Sequence, residues 1–176
     1  MPQDSAKARE WYEKAAAKDN EDAKMALERL SINEAKSAGR YAEALQLQEV
    51  LAAKREAEET KRDGKAGEQT AGELTHVIWY ALFAKEFTKA LTVANRSHVL
   101  FPDDLVIEIN QAHALMFMER GEEAKALYLA HKGKPLSKAD NELWEQAIAE
   151  DFAALRKAGV THPMMADIEK ELGVSR

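Results

Sequence analysis

The sequence predicts an all-α fold. Three observations carry that expectation. Pro and Gly number only 4 and 8 in 176 residues, and Ala, Leu, Glu and Lys, the strong helix formers, dominate the rest. Apolar residues recur at spacings of three and four, and no segment shows the clean alternation of a half-buried strand, so no sheet is expected. Gly, Pro and short polar clusters divide the chain into nine helix-length segments.

The first segment runs from about Ser5 to Lys18, with Asp4 or Ser5 as N-cap, and Asp19-Asn20 interrupts it. The second runs from Glu21 to Ala38 and stops at Gly39, a residue suited to a left-handed cap. The third starts near Arg40. Its later part, KREAEETKRD, is charged all round and reads either as a solvated helix or as frayed chain. GKAGEQ (64–69) is the linker candidate. The fourth segment opens with Thr70-Ala-Gly-Glu73, which has capping-box spacing. The fifth ends at Pro102, the sixth at Gly121, and the seventh in Lys132-Gly-Lys-Pro135. The eighth covers about 138–158. The ninth has Thr161 as cap and Pro163 in its first turn, and Gly173 ends it. The organisation expected is a thin N-terminal layer (1–63), a linker (64–69), two hairpins (70–136) and two capping helices (137–176), forming one continuous array. Nine of the twelve aromatic residues follow residue 70, which puts the better-filled core in the C-terminal two thirds.

Composition narrows the function classes. A hydrophobic share of 45% suffices for a core. The net charge of -6 argues against nucleic acid or an anionic membrane as the main partner, because phosphate binding needs clustered Lys and Arg. There is no Cys, hence no disulfide, thiol nucleophile or Cys-type zinc site. The N-terminus carries no apolar leader and no apolar run approaches about 20 residues, so neither secretion nor membrane insertion is expected and a cytoplasmic location is favoured.

Self-similarity is visible around Ala8, Ala44, Ala90 and Ala124. Each opens a second-helix pattern: AREWYEKAA, ALQLQEVL, ALTVANRS and AKALYLAH. A small residue there lets two helices of a hairpin approach closely. AREWYEKAA followed by DNEDAKMALERL resembles a Sel1-like repeat. Residues 71–105, with Ala81, Phe87, Ala90 and Pro102 in phase, resemble a tetratricopeptide repeat of about 34 residues. Leu105–Leu136 resembles a second, with Ala124 and Tyr128 in phase and Gly121 displaced. Residues 25–58 (Gly39, Tyr41, Ala44) are a weaker third. The resemblance implies a right-handed superhelical array of antiparallel helix hairpins closed by two C-terminal helices. It also implies the C-terminal portion of a larger, bacterial-type repeat protein.

In a Sel1-like unit AREWYEKAA is a second helix, so a first helix is missing. Either Trp11 packs inward and this helix caps the array, or Trp11 and Tyr12 form an exposed apolar edge that docks a preceding domain or a second copy. Binding residues of such arrays line the first helices of the hairpins. The resemblance therefore makes Arg29, Asn33, Lys36, Thr75, Trp79, Leu82, Ile109, Asn110, His113, Met116 and Phe117 candidates for a peptide-binding face. In the two stronger repeats the basic residues of a carboxylate clamp are absent. The apolar members are either covered by neighbouring helices or form a groove in which Asn110 and His113 orient a ligand.

Motifs of chemistry are weak. Glu73-x-x-His76 places both side chains on one helix face, but a di-iron bundle needs a second such pair and more carboxylates. There is no His-Glu-x-x-His, no glycine-rich nucleotide loop and no nucleophile elbow. Ser97-His98 and Glu150-Asp151 are adjacent in helices, where side chains diverge by about 100°. Asp151 is open to pairing with Arg55, Arg156 or a backbone amine. Neither cofactor nor catalytic residue is expected. The function expected is a protein or peptide interaction scaffold. The alternative is a regulatory or oligomerisation region that assembles through the Trp11-Tyr12 edge. A cryptic site around His76 and His113 is the enzymatic alternative.

Overall fold

A computed structural model describes residues 2–136 and 142–174, with side chains from Lys7 onward except at residue 21. Among these residues there are nine α-helices and no strand: α1 (Pro2–Ala16), α2 (Glu21–Ser37), α3 (Tyr41–Asp63), α4 (Glu68–Phe83), α5 (Phe87–Leu100), α6 (Leu105–Phe117), α7 (Gly121–Ala130), α8 (Trp144–Lys157) and α9 (Met164–Leu172). One isolated antiparallel bridge joins Pro135 to Leu143. The chain divides into two compact units, Met1–Glu73 and Leu74–Arg176. The all-helical expectation holds, and consecutive helices pack on one another. No described helix is long and apolar enough to cross a membrane.

Four boundaries differ from the sequence reading; at α9 the N-cap position is Pro163, not Thr161, and the helix starts at Met164. The backbone of α1 is already helical at Pro2, and the Asp4 and Ser5 side chains lie outside the described residues. Helix α4 starts at Glu68, ahead of the expected Thr70, because a buried carboxylate from α3 satisfies its first amides. Helix α8 starts at Trp144 because Trp144 N–H first bonds Lys134 carbonyl (2.9 Å) and Leu136 N–H bonds Glu142 carbonyl (3.0 Å). Residues 137–141 lie outside the described set.

In the first unit α2 packs against both α1 and α3. Its core is thin and made of small or aliphatic residues: Ala23, Ile32, Ala35, Ala44, Leu45, Leu51 and Ala52. Asn20 caps α2 by accepting from Ala23 N–H (2.9 Å). Arg9 reaches across to Glu34 (2.9 Å) and Ser31 (3.3 Å). The charged second half of α3 is a formed helix as far as Asp63. Gly64 ends it at φ 77°, with its N–H on Thr60 carbonyl.

In the second unit α5 packs on α6, α6 on α7, and α9 on both α7 and α8. Its core is of larger side chains, with Trp144, Tyr128, Phe152, Ile107, Ile109, Met116, Ile148 and Leu155 fully buried. The aromatic count had indicated this contrast.

Three of the inter-helix turns share both one bonding pattern and the residue that follows it; the turns at Asp19 and Gly159 make the same two bonds without that residue. Gly39, Lys85 and Glu119 are left-handed, at φ 72°, 61° and 57°. Each donates to the carbonyl three residues back, and its successor donates to the carbonyl five back. This is the double bond of a Schellman cap, which closes off the last free carbonyls of the outgoing helix. Five residues after each left-handed position comes a fully buried alanine, Ala44, Ala90 and Ala124. Three of the four alanines read as hairpin markers in the sequence therefore sit at equivalent places in three equivalent turns, whereas Ala8 lies mid-helix in α1 and is only partly buried.

Glu59 fixes the junction of α3 and α4. Its side chain is buried. It accepts from Thr70 Oγ1 (2.6 Å) and from the backbone N–H of Gly67 (2.8 Å), Thr70 (3.0 Å) and Gln69 (3.3 Å). An anion is thus held at the amino end of a helix, where free amides and the helix dipole favour it. Burial acts to raise its pKa. The Thr70 hydroxyl and the three amides act the other way, and the net result lies below the ordinary 4.5. The Thr70 hydroxyl donates to Glu59, so the capping role expected for it belongs to Glu59 instead. A Cβ at Gly67 would stand 2.9 Å from Glu59 Oε1, closer than side-chain atoms pack.

A lowered carboxyl pKa means that the stabilisation is complete above the unfolded value of about 4.5 and is lost as pH falls through the folded value. Glu59→Gln should cost about 2–3 kcal/mol at neutral pH, since charge-assisted bonds to buried donors are lost. It should also flatten the loss of stability below pH 4.5. Urea unfolding at neutral and acid pH measures both. Gly67→Ala should destabilise in the same direction by displacing the carboxylate.

Candidate functional site

The richest side-chain chemistry of the second unit centres on α6. His113 lies mid-helix and is fully buried. Its Nδ1 is 2.7 Å from Tyr128 Oη on α7, and its Nε2 is 3.1 Å from Asp151 Oδ2 on α8. An ionised carboxylate only accepts, so the bonding network assigns the ring proton to Nε2 and leaves Nδ1 to accept from the tyrosine. The three groups form a line from the surface inward, in which Asp151 alone is partly exposed. Burial, and then the negative charge of Asp151, hold the Tyr128 hydroxyl well above its usual pKa of 10.0. It stays neutral and donates, and Met116 Sδ lies 3.8 Å away. The His113 ring also packs on Phe152 (5.3 Å) and tilts toward Trp79 (6.3 Å).

Such a carboxylate–imidazole–hydroxyl line has the order of a nucleophilic relay. Here the hydroxyl occupies the closed end and is fully buried, so it has no face for a substrate. The line ties α6, α7 and α8 together. Asp151 therefore pairs with His113, and not with the arginines or the amine considered from the sequence. Nothing in the local sequence marks that partnership, because 38 residues separate the two.

A second imidazole is held similarly. His131 Nε2 meets Glu108 Oε2 at 3.0 Å, Lys134 Nζ donates to its Nδ1 at 3.2 Å, and the ring stands edge-on to Trp144 at 4.8 Å. Trp144 Nε1 in turn donates to Tyr128 carbonyl (2.7 Å).

The residues proposed for a peptide face separate into two groups. Leu82, Ile109, Asn110, His113 and Met116 are interior. Asn110 Nδ2 donates to Val106 carbonyl (2.9 Å), and His113 has both nitrogens engaged. These five pack the unit and present nothing to a ligand. The apolar stripe that looked like a groove floor is largely helix-packing surface, because α6 is enclosed along most of its circumference. Thr75, Trp79 and Phe117 keep partial exposure. In the first unit Arg29, Asn33 and Lys36 are exposed. Arg29 bonds the buried carboxylate of Glu73, to which Gln48 Nε2 also donates (2.7 Å). Glu73 is thereby committed to a structural pair and not held ready for a metal beside His76. His76 is exposed and stacks on Tyr80 (6.3 Å). Among the described residues no group of three or more His, Asp or Glu is placed to hold a metal ion.

Accessible apolar surface gathers near the turns. Trp79 meets Phe83 edge-on at 4.8 Å, and Phe87 stacks on Phe117 at 4.6 Å. The edge of Phe117 faces His162 (6.0 Å), whose Nε2 is 3.4 Å from Glu119. Beside Phe87 an open groove is lined by Lys85, Thr88, Lys89, Thr92 and Met118. Met118 is exposed, and Thr88 Oγ1 lies 3.6 Å from its sulfur. Sequence reasoning missed Phe87 and Met118 as surface residues. They occupy a helix N-terminus and a C-cap, where the 3.6-residue period no longer assigns a face.

No protein-family model, curated protein or solved structure matches the chain.

Tyr128→Phe removes the donor to a buried ring nitrogen and should cost about 1–3 kcal/mol. The raised hydroxyl pKa means that the wild type keeps this stabilisation below pH 10.0 and loses it as pH climbs toward the folded value. The variant should lose less stability over that alkaline range, as urea midpoints at neutral and alkaline pH will show.

Proposed function

We propose that the chain is a non-enzymatic interaction module, a set of helix hairpins of the Sel1-like and tetratricopeptide kind that engages an apolar peptide or protein segment. The observation that carries this reading is the partly exposed Phe87–Phe117 stack, of which Phe87 lines an open groove together with exposed Met118. Exposed apolar surface rimmed by polar side chains suits a partner's apolar anchors. Lys85, Glu86, Lys89 and Thr92 supply polar lining, with Lys89 paired to Glu86 (3.1 Å). The recurrent left-handed turn and buried alanine support the hairpin-repeat reading, in a superhelical arrangement. The binding surface then lies by the turns and draws on Trp79 and Phe117 from the original candidates, with Phe87 and Met118 added.

Peptides selected from a random displayed library supply the probe. The best binder, retitrated, should lose at least about tenfold in affinity against Met118→Glu or Phe117→Ala, the loss expected for an anchor contact. Circular dichroism should remain native. Unchanged affinity in both variants would place binding elsewhere.

A second reading has its own observation. Trp11 is 73% exposed and Tyr12 is exposed beside it, so the indole does not pack inward on α2. This favours an assembly edge, as in a regulatory or oligomerisation region of a larger protein. Light scattering over a concentration series should show association that Trp11→Glu abolishes with helicity retained. A monomer throughout would remove self-assembly from this edge.

A further inference from the structure

Met118 differs from the other methionines in its surroundings. Among the described residues it is the exposed one. Met116 and Met165 lie in the core, and Met25 and Met164 are partly covered. Met118 is the C-cap of α6, where the chain leaves the helix. Its side chain lines the open groove with Phe87, Thr88 and Thr92. The Thr88 hydroxyl donates to its sulfur across 3.6 Å. A thioether sulfur is a weak acceptor with two lone pairs. Thr88 engages one of them and leaves the other.

We propose that Met118 is a modification site, oxidised to the sulfoxide by hydrogen peroxide or an organic hydroperoxide, and that its oxidation releases an apolar occupant of the groove. This regulation rests on the reading of the groove as a binding surface. The free lone pair of the sulfur attacks one peroxide oxygen. The S–O bond forms as the O–O bond breaks. With hydrogen peroxide, the proton on the transferred oxygen passes to the departing hydroxide, which leaves as water. Sulfur gives up an electron pair and the peroxide is reduced. Susceptibility follows exposure, so Met118 reacts ahead of the covered thioethers. The product is polar and chiral where the thioether was apolar. An apolar anchor laid over the sulfoxide oxygen leaves a strong acceptor without a donor, which costs affinity. Because Thr88 engages one lone pair, the oxygen goes to the other, and one sulfoxide epimer exceeds its mirror at sulfur. Reduction of the sulfoxide restores the thioether.

The test treats the full chain with limiting hydrogen peroxide and maps the added oxygen by peptide mass spectrometry. Met118 should be oxidised first, with circular dichroism unchanged. The two stereospecific methionine sulfoxide reductases, applied separately, should remove unequal shares of the oxygen. Thr88→Val should bring those shares closer together. The peptide selected on the groove, chosen without methionine, should lose at least about tenfold in affinity for the oxidised chain and regain it after reduction. Met118→Leu keeps an apolar side chain, and the affinity of that variant should not change with peroxide. Oxidation of Met25 or Met164 ahead of Met118, equal epimers that Thr88→Val leaves equal, a peroxide response that persists in Met118→Leu, or full affinity in the oxidised chain overturns the proposal. If the oxidised chain keeps its affinity while Met118→Glu loses it, the binding reading stands and the regulation alone falls. A peptide indifferent to both Met118→Glu and oxidation removes the two together.

Discussion

Two helices joined by a three-residue turn can lie together only if the turn closes the outgoing helix and the side chains beside it are small. Much of this molecule follows from that constraint. Gly39, Lys85 and Glu119 take the left-handed conformation, and Ala44, Ala90 and Ala124 follow at the same interval, fully buried. Glycine meets the backbone requirement freely. Lysine and glutamate adopt it at a cost of about 1 kcal/mol, which the two cap hydrogen bonds and the packing of the following alanine must offset. The apolar stripes pack correctly only because these turns set where each helix begins.

The two units solve the problem of polar groups near a core differently. In the first, buried Glu59 and Glu73 are surrounded by donors: amides and a hydroxyl for one, a guanidinium and an amide side chain for the other. In the second, imidazoles are sandwiched between a carboxylate and a further polar group. The first unit has few large side chains to hold its helices. Polar contacts that span 8 to 44 residues of sequence do some of the fastening that aromatic packing does in the second.

The helices and their turns were legible because their causes are local: period, caps, and the small residue after each turn. What stayed hidden depends on partners distant in the chain. The start of α4 was misplaced because its cap, Glu59, belongs to the preceding helix, whereas Thr70 had the right spacing for a local one. Asp151 had candidate partners in Arg55 and Arg156 because nothing near it in sequence announces His113. The peptide-face residues were chosen by register on α2, α4 and α6, and register gives the side of a helix without saying how many neighbours enclose it. Ile109 and Met116 were thus correctly placed on an apolar stripe whose neighbours cover it, while Phe87 and Met118, at helix ends, had no stripe to reveal them.

Helix α4 runs without a break from Glu68 to Phe83, yet the two compact units divide between Glu73 and Leu74. The unit border is therefore no linker. A chain started at Leu74 would expose amides of residues 74–77 that bond carbonyls of residues 70–73 in the intact helix. A chain stopped at Glu73 would keep the Glu59 cap but retain too few turns of α4 to propagate a helix. A cut placed where packing alone divides the chain would therefore fall inside a helix.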